Sequence, residues 1–277
     1  MTQALDVGAG GMVSTNRTNK DATEQATKSK EKYLNLGVTL MVMGGLAMIY
    51  LAARVYQQMF AWSAGMDSTN PLFDKYWMTL LYAELIVLAI AAVVVWSYLW
   101  FSRDRHLDKI EPRTELKRYF NLVAWILCYV FAVYFTASFF GEEDASWHQV
   151  VVRDTSFTPS HIVLFYLTIP LYIILGIGSY LYAMTRLPQF AKAISIPFVI
   201  GVTGPFLILP NLGFNEWGHA FWLMEELFIA PLHWGFVVLG WSALALGGLL
   251  MQITPKMVEL LKKIYGAKET EQLANSI

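Results

Sequence analysis

The sequence predicts an all-α integral membrane protein, a bundle of about six transmembrane helices with disordered or cationic cytoplasmic tails. Three observations predict this fold class. Of the 277 residues, 56% are hydrophobic and only 15% are charged, whereas about 25% are charged in an average soluble domain. Aromatic residues reach 15%, and a soluble chain of this size could not bury so much apolar surface. The apolar residues also fall into separate runs close to the roughly 20 residues that span a bilayer.

The chain divides into three predicted parts: a polar N-terminal tail at 1–33, a transmembrane helical domain at 34–255 and a C-terminal tail at 256–277. The first tail lacks an apolar run, which is typical of disorder, and the second is polar and cationic. The six predicted spans are Leu34–Ala53, Tyr76–Phe101, Tyr119–Phe140, His161–Met184, Ile194–Leu212 and Leu227–Gln252. Prolines and glycines interrupt the fifth run.

The distribution of basic residues predicts the orientation in the membrane. All but three of the 20 Lys and Arg residues lie in the two tails or in the loops at 102–118 and 185–193. Cytoplasmic segments carry the excess of Lys and Arg, so we expect both termini to be cytoplasmic. The loops expected on the periplasmic side are 54–75, 141–160 and 213–226.

Cysteine and charge exclude several kinds of chemistry. A single cysteine, Cys128, excludes an intramolecular disulfide and any cysteine-based zinc or iron–sulfur cluster within this chain. The net charge of −1 indicates no nucleic-acid partner. Five histidines remain as the scarce, chemically versatile residues.

Four of these histidines fall on the expected periplasmic side, and two of the four follow one pattern. Asp144 precedes His148 by four residues, which places both side chains on one face of a helix. A Thr-Pro-Ser-His sequence then ends at His161. Because Pro is favoured at the first helical position and Thr158 is a suitable N-cap, we expect His161 in the first turn of the fourth span.

A second trio repeats this pattern with Asn215, His219 and His233. Each trio offers one oxygen and two imidazoles, which suits Cu, Fe or Zn, whereas Mg or Ca would require oxygen ligands. The alternative for each histidine is an ordinary structural hydrogen bond. Glu84, inside the second span, is also unusual, because a carboxylate at this depth is costly and is either functional or hydrogen-bonded within the bundle.

Long stretches around these histidines resemble a known family. Asp144–Tyr166 reads DASWHQVVVRDTSFTPSHIVLFY, and Leu209–Gly240 reads LPNLGFNEWGHAFWLMEELFIAPLHWGFVVLG. Both are similar to the C subunit of the copper-dependent membrane monooxygenases, which include ammonia monooxygenase and particulate methane monooxygenase. The similarity covers about Phe60–Trp241.

The resemblance implies an oxidoreductase subunit of the bacterial inner or intracytoplasmic membrane, active only in complex with partner subunits. In that family the C subunit assembles with an A and a B subunit in a trimer of heterotrimers, and the complex oxidises a small substrate with O₂ and two electrons, with quinol as the expected donor. It also implies copper as the cofactor. The family's metal ligands match the two trios, so the expected metal and catalytic residues are Asp144, His148, His161, Asn215, His219 and His233.

Two short motifs bear on which substrate the complex oxidises. The sequences Ala145-Ser146-Trp147-His148 and Gly218-His219-Ala220-Phe221 resemble those of ammonia oxidisers more than those of methane oxidisers. We therefore expect oxidation of ammonia to hydroxylamine, and the alternative is oxidation of methane or a short alkane to an alcohol. Two distant alternatives are a haem b subunit ligated by the same histidines and a transporter that uses Glu84 and the broken fifth span.

Overall fold

The computed structural model of the protein describes residues 33–147, 150, 152, 155, 157–207 and 241–266. The regular structure of this part of the chain is helical, which confirms the predicted fold class. Its helices are α1 (Leu36–Ala64), α2 (Pro71–Phe101), α3 (Pro112–Phe140), α4 (Gly141–Trp147), α5 (Pro159–Arg186), α6 (Ile196–Thr203) and α7 (Trp241–Tyr265). Short helical turns lie at Leu107–Lys109, Pro188–Ala191 and Gly204–Leu207.

Five of these helices, α1, α2, α3, α5 and α7, are long and apolar enough to cross a membrane. A helix pairs its backbone N–H and C=O groups internally, which is the requirement for a segment that crosses hydrocarbon. The chain is therefore a multi-pass membrane protein. The central span is α5, which packs against both α2 and α3.

Four of the observed spans, α1, α2, α3 and α5, are longer than the predicted apolar runs. The prediction of a loop at 54–75 is wrong for its first part, because α1 continues past Ala53 to Ala64 and ends where the Gly65 N–H donates to the Ala61 carbonyl at 2.8 Å. A hydropathy pattern stops at the first charge, but a helix continues for as long as its backbone hydrogen bonds do. Similarly, α2 begins at Pro71, where the Asn70 side chain accepts a hydrogen bond from the Leu72 N–H at 2.9 Å.

The described part of the predicted fifth span forms a short helix and a turn. Within the described residues, the run Ile194–Leu212 contains α6, of eight residues, and the turn that follows it. Ser195 caps α6, and its hydroxyl accepts a hydrogen bond from the Phe198 N–H at 3.3 Å. At about 1.5 Å per residue α6 reaches about 12 Å, less than half of a hydrocarbon core of about 30 Å.

The last helix corrects the predicted end of the sixth span. Residues 241–252 lie in α7 as predicted, but the helix runs through Pro255 to Tyr265, where a polar tail was expected to begin. Pro removes one backbone hydrogen bond from a helix, and transmembrane helices tolerate it because neighbouring Ser and Thr side chains bond the freed backbone groups. The carbonyl that loses its backbone donor at Pro255 is that of Met251, and the adjacent Leu250 carbonyl accepts a hydrogen bond from the Thr254 hydroxyl at 2.7 Å.

The two ends of the bundle can be distinguished by their contacts. The hydroxyls of Tyr33 and Tyr265 lie 2.6 Å apart, so α1 begins and α7 finishes at the same end. At the other end, called the site end below, Gly65 follows α1 and meets Pro159 at the start of α5. A Cβ on Gly65 would lie 2.5 Å from the Pro159 ring and 3.0 Å from the Trp77 indole nitrogen, so only glycine allows this approach.

Two tyrosines hold α6 in place from neighbouring spans. The Tyr129 hydroxyl on α3 donates to the Gly201 carbonyl at 2.8 Å, with the Val202 carbonyl at 3.1 Å. The Tyr172 hydroxyl on α5 donates to the Pro205 carbonyl at 2.9 Å. The last carbonyls of a helix have no partner inside the helix, and hydrocarbon offers no water to replace it.

We expect Tyr129→Phe to lower the free energy of unfolding by about 1–2 kcal/mol, because the carbonyls at the end of α6 then lose their donor in a buried position. Thermal unfolding of the protein in detergent measures this loss. Tyr134→Phe is the matched control, because Tyr134 lies on the same helix with an exposed ring. Equal stability of the two variants would contradict the capping role of Tyr129.

Candidate functional site

Two of the six predicted ligands lie in the described residues, and the structure brings them together at the site end. Asp144 is on α4 and only 1% exposed, and His161 is in the first turn of α5 and 8% exposed. The Asp144 Oδ1 and His161 Nε2 atoms are 3.4 Å apart. The sequence separates these residues by a loop, so the contact depends on the packing of α4 against the start of α5.

The hydrogen bond made by the other ring nitrogen of His161 determines the tautomer of the neutral imidazole. His161 Nδ1 lies 3.0 Å from the Thr155 carbonyl oxygen. A carbonyl oxygen only accepts hydrogen bonds, so Nδ1 carries the proton and donates. In a neutral imidazole the lone pair is then on Nε2, which faces the carboxylate of Asp144. Two electron-rich atoms in such contact are stable when a cation lies between them, either a proton or a metal ion.

The donor set fits a metal ion. At bond lengths of about 2.1 Å, typical of imidazole and carboxylate ligands on zinc, two neighbouring ligands of a tetrahedral site lie about 3.4 Å apart. A metal-bound histidine usually donates its other ring N–H to an acceptor such as a backbone carbonyl, as His161 does here. Asp144 and His161 therefore have the spacing and orientation of a ligand pair.

The structure does not bring a complete trio together within the described residues. No group of three His, Cys, Asp or Glu side chains in that part of the chain could hold a metal ion. The other four predicted ligands lie outside the described residues: His148, Asn215, His219 and His233. Thr158 is the N-cap of α5 by position, as predicted, but its side chain makes no capping hydrogen bond.

An ion pair that the sequence analysis missed holds α4 against α1. Arg54 on α1 donates to the carboxylate of Glu143, the residue before Asp144, and its guanidinium also lies 5.8 Å from the centre of the Phe139 ring. Burial raises the pKa of the Glu143 carboxyl, and the nearby Arg54 charge lowers it in part. One signal was available, since Arg54 is among the three basic residues outside the segments that the sequence predicts to be cytoplasmic.

Three spans contain π-helical segments, and all three segments lie toward the site end. They are Asp74–Met78 in α2, Thr136–Phe140 in α3 and Ile162–Thr168 in α5. The last one directly follows His161, and the second directly precedes α4. Such segments are rare and occur frequently at functional sites, because the wider turn re-aims the side chains beside it.

Glu84, on α2, is buried inside the bundle. Both of its carboxyl oxygens lack a hydrogen-bond partner among the described residues. The Trp96 indole donates to the Ile174 carbonyl at 3.2 Å, and this register between α2 and α5 places Glu84 near the level of Ile162. An isolated carboxylate is costly at this depth, and the described residues do not include the hydrogen-bond partner that the structural alternative requires.

The fold and this pair define a class, a multi-pass helical membrane protein with an acid–imidazole pair buried at one end of its spans. The comparison with family models identifies the family. The model of the ammonia monooxygenase/methane monooxygenase C subunit matches residues 16–264, and the chain belongs to this family. It is therefore a membrane subunit of an ammonia/methane monooxygenase complex and associates with other monooxygenase subunits, A and B. A search of curated proteins found no significant match.

We expect Arg54→Met to destabilise the protein by about 1–2 kcal/mol, because it leaves the half-buried Glu143 carboxylate without its cation. It should also make stability depend on pH. Without Arg54 the pKa of Glu143 rises further, and a raised pKa means that stability is retained at low pH and lost as the pH rises through that pKa. Unfolding at a series of pH values measures both effects.

The double variant Arg54→Met, Glu143→Gln is the control for this prediction. It has no ionisable group at the position, so its stability should be the less pH-dependent of the two. A single Arg54→Met variant with the same pH profile as the double variant would show that Arg54 does not act on Glu143.

Proposed function

We propose that the chain is the metal-binding subunit of a copper monooxygenase that oxidises ammonia to hydroxylamine. The observation that carries the proposal is the buried pair of Asp144 and His161, 3.4 Å apart, in a chain that belongs to the monooxygenase C-subunit family. Ammonia, O₂, two electrons and two protons would give hydroxylamine and water. The alternative substrate is methane or a short alkane, which would give an alcohol.

Two groups of residues would hold copper in this proposal. One is Asp144, His148 and His161, and the other is Asn215, His219 and His233. Imidazole suits copper, and one oxygen ligand leaves positions open for chemistry. When bound, copper would supply the redox chemistry that activates O₂. Both trios are candidates for the site of oxidation.

The residues around His161 orient its imidazole and keep it from water. The Thr155 carbonyl accepts from Nδ1 and also from the Thr158 N–H at 3.2 Å, so one oxygen fixes both the ring and the turn before α5. The Phe165 ring centre lies 5.1 Å from that of His161. A fixed ring in an apolar surrounding keeps Nε2 directed at one point, which is the arrangement that a redox metal requires.

The surface of the bundle supports the proposed assembly and orientation. Large apolar side chains on α1 and α2 are exposed, and these faces suit lipid and the A and B subunits of a trimer of heterotrimers. Basic side chains concentrate at the end opposite the site end, in the loop before α3 and at the finish of α7. This favours a cytoplasmic location for both termini and a periplasmic one for the metal trios. The proposed electron donor is quinol.

We expect His161→Ala and Asp144→Ala to lower the affinity for copper at least tenfold, because each removes a ligand atom from the pair. Metal analysis of the purified, assembled complex measures bound copper, and product analysis measures activity. His106→Ala is the control, because His106 is exposed at the opposite end. Full copper content and activity in both variants would contradict the metal assignment.

The substrate is tested by offering ammonia and methane separately to the copper-loaded complex. We expect a higher kcat/KM for hydroxylamine formation than for methanol formation, because the residues around Trp147 and His219 resemble those of ammonia oxidisers. A higher kcat/KM for methane would establish the alternative substrate. Loss of both activities in His161→Ala would link either product to the proposed site.

A further inference from the structure

A cavity of about 320 Å³ lies beside the Asp144–His161 pair. Its walls come from the last turns of α1, from α4 and the residues just after it, and from the first turn of α5. The residues that matter here are Gln57, Trp62, Glu143, Trp147, Val150 and Ser160. Glu143 and Ser160 directly precede Asp144 and His161, so the cavity and the pair have helical turns in common.

Four residues in the cavity wall carry buried polar atoms that have no hydrogen-bond partner among the described residues. These atoms are Gln57 Oε1, Glu143 Oε2, Trp147 Nε1 and Ser160 Oγ. Gln57 is only 4% exposed and Ser160 only 3%. Buried polar groups are almost always satisfied by protein or by ordered small molecules. Four such atoms around one cavity indicate a site for a small polar ligand.

The four atoms define the chemistry of that ligand. Gln57 and Glu143 offer acceptors, the Trp147 indole offers a donor, and the Ser160 hydroxyl can do both. The ligand must therefore donate and accept hydrogen bonds. Arg54 already neutralises Glu143 through the other carboxylate oxygen, so the cavity has no net charge to attract an ion. Ammonia and water have this chemistry, and a hydrocarbon has none of it.

We propose that this cavity binds small uncharged hydrogen-bonding molecules and selects ammonia over a hydrocarbon on the way to the metal site. This inference rests on the proposed function. Trp62 on the cavity wall is 62% exposed, whereas Glu143 and Ser160 on the same wall directly precede the buried Asp144 and His161 in the sequence. A molecule that enters from the surface at the site end passes this wall before it reaches Asp144 and His161.

The selection has a physical basis in the unpaired atoms. Ammonia satisfies them, whereas methane would displace water and leave them unpaired. A site built to hydrogen-bond its substrate rejects an analogue that lacks the groups, because its own buried polar groups then stay unpaired. Removal of one of these groups should therefore weaken ammonia binding and relax the rejection of an alkane.

The test uses the assembled complex in its native membrane with Gln57→Leu and Ser160→Ala, each assayed with ammonia and with a short alkane. Loss of one hydrogen bond should raise the KM for ammonia about fivefold, with the alkane KM unchanged or lower. Ser63→Ala is the matched control, because Ser63 lies in the last turns of α1, bonds to the Met59 carbonyl and does not line the cavity. Equal changes for the two substrates, or no change, would overturn the selection.

A second measurement does not depend on ammonia oxidation. Radiolytic labelling with water as the probe reports water that contacts Trp147, and Ser160→Val, which fills and depolarises the cavity, should lower this labelling at least twofold. If the wild-type complex oxidises only the alkane, the proposed substrate fails and so does selection for ammonia, while labelling still decides whether the cavity holds small polar molecules. Two results would overturn the cavity site itself: no labelling of Trp147 in the wild-type complex, or equal labelling of Trp147 in Ser160→Val.

Discussion

The structure depends on one constraint, that hydrocarbon offers no hydrogen-bond partner to a polar group. Long helices meet it along most of the chain, because they pair their own backbone. Where a helix stops inside the bundle, side chains must take over, and Tyr129 and Tyr172 do so at the end of α6. Charged groups are confined largely to the two ends, where Arg118 pairs with Asp104 at 2.8 Å at one end and Arg54 with Glu143 at the other.

At the site end, several buried polar groups lack the hydrogen-bond partners that such groups require, in the part of the chain that the structure describes. Within the described residues, most buried polar atoms without a partner are at this end, including those of Gln57, Trp77, Trp147, Thr158 and Ser160. The π-helical segments of α2, α3 and α5 lie there as well. Both features cost stability, since an unpaired buried group costs about 1–3 kcal/mol. The concentration of such unpaired polar atoms at one end of the bundle indicates binding or chemistry at this end.

The sequence predicts the parts of the structure that follow from local pattern. Apolar runs locate the spans, and Pro159 after Thr158 places His161 in the first turn of α5. It does not predict where spans end, because α1 continues past the charged Arg54 and α7 continues past Pro255. Nor does it predict the hydrogen bond from His161 to the Thr155 carbonyl or the ion pair between Arg54 and Glu143. These contacts depend on how the chain packs.

The site and the cavity are physically linked through helix geometry. Successive residues on an α-helix point about 100° apart, so Glu143 and Asp144 face different directions from one turn of α4. Ser160 and His161 do the same from the first turn of α5. Each turn therefore contributes one residue to the acid–imidazole pair and one to the cavity wall. A shift of α4, whose position the Arg54–Glu143 bond maintains, would therefore move both the pair and the cavity wall, which couples the proposed metal site to the proposed substrate cavity.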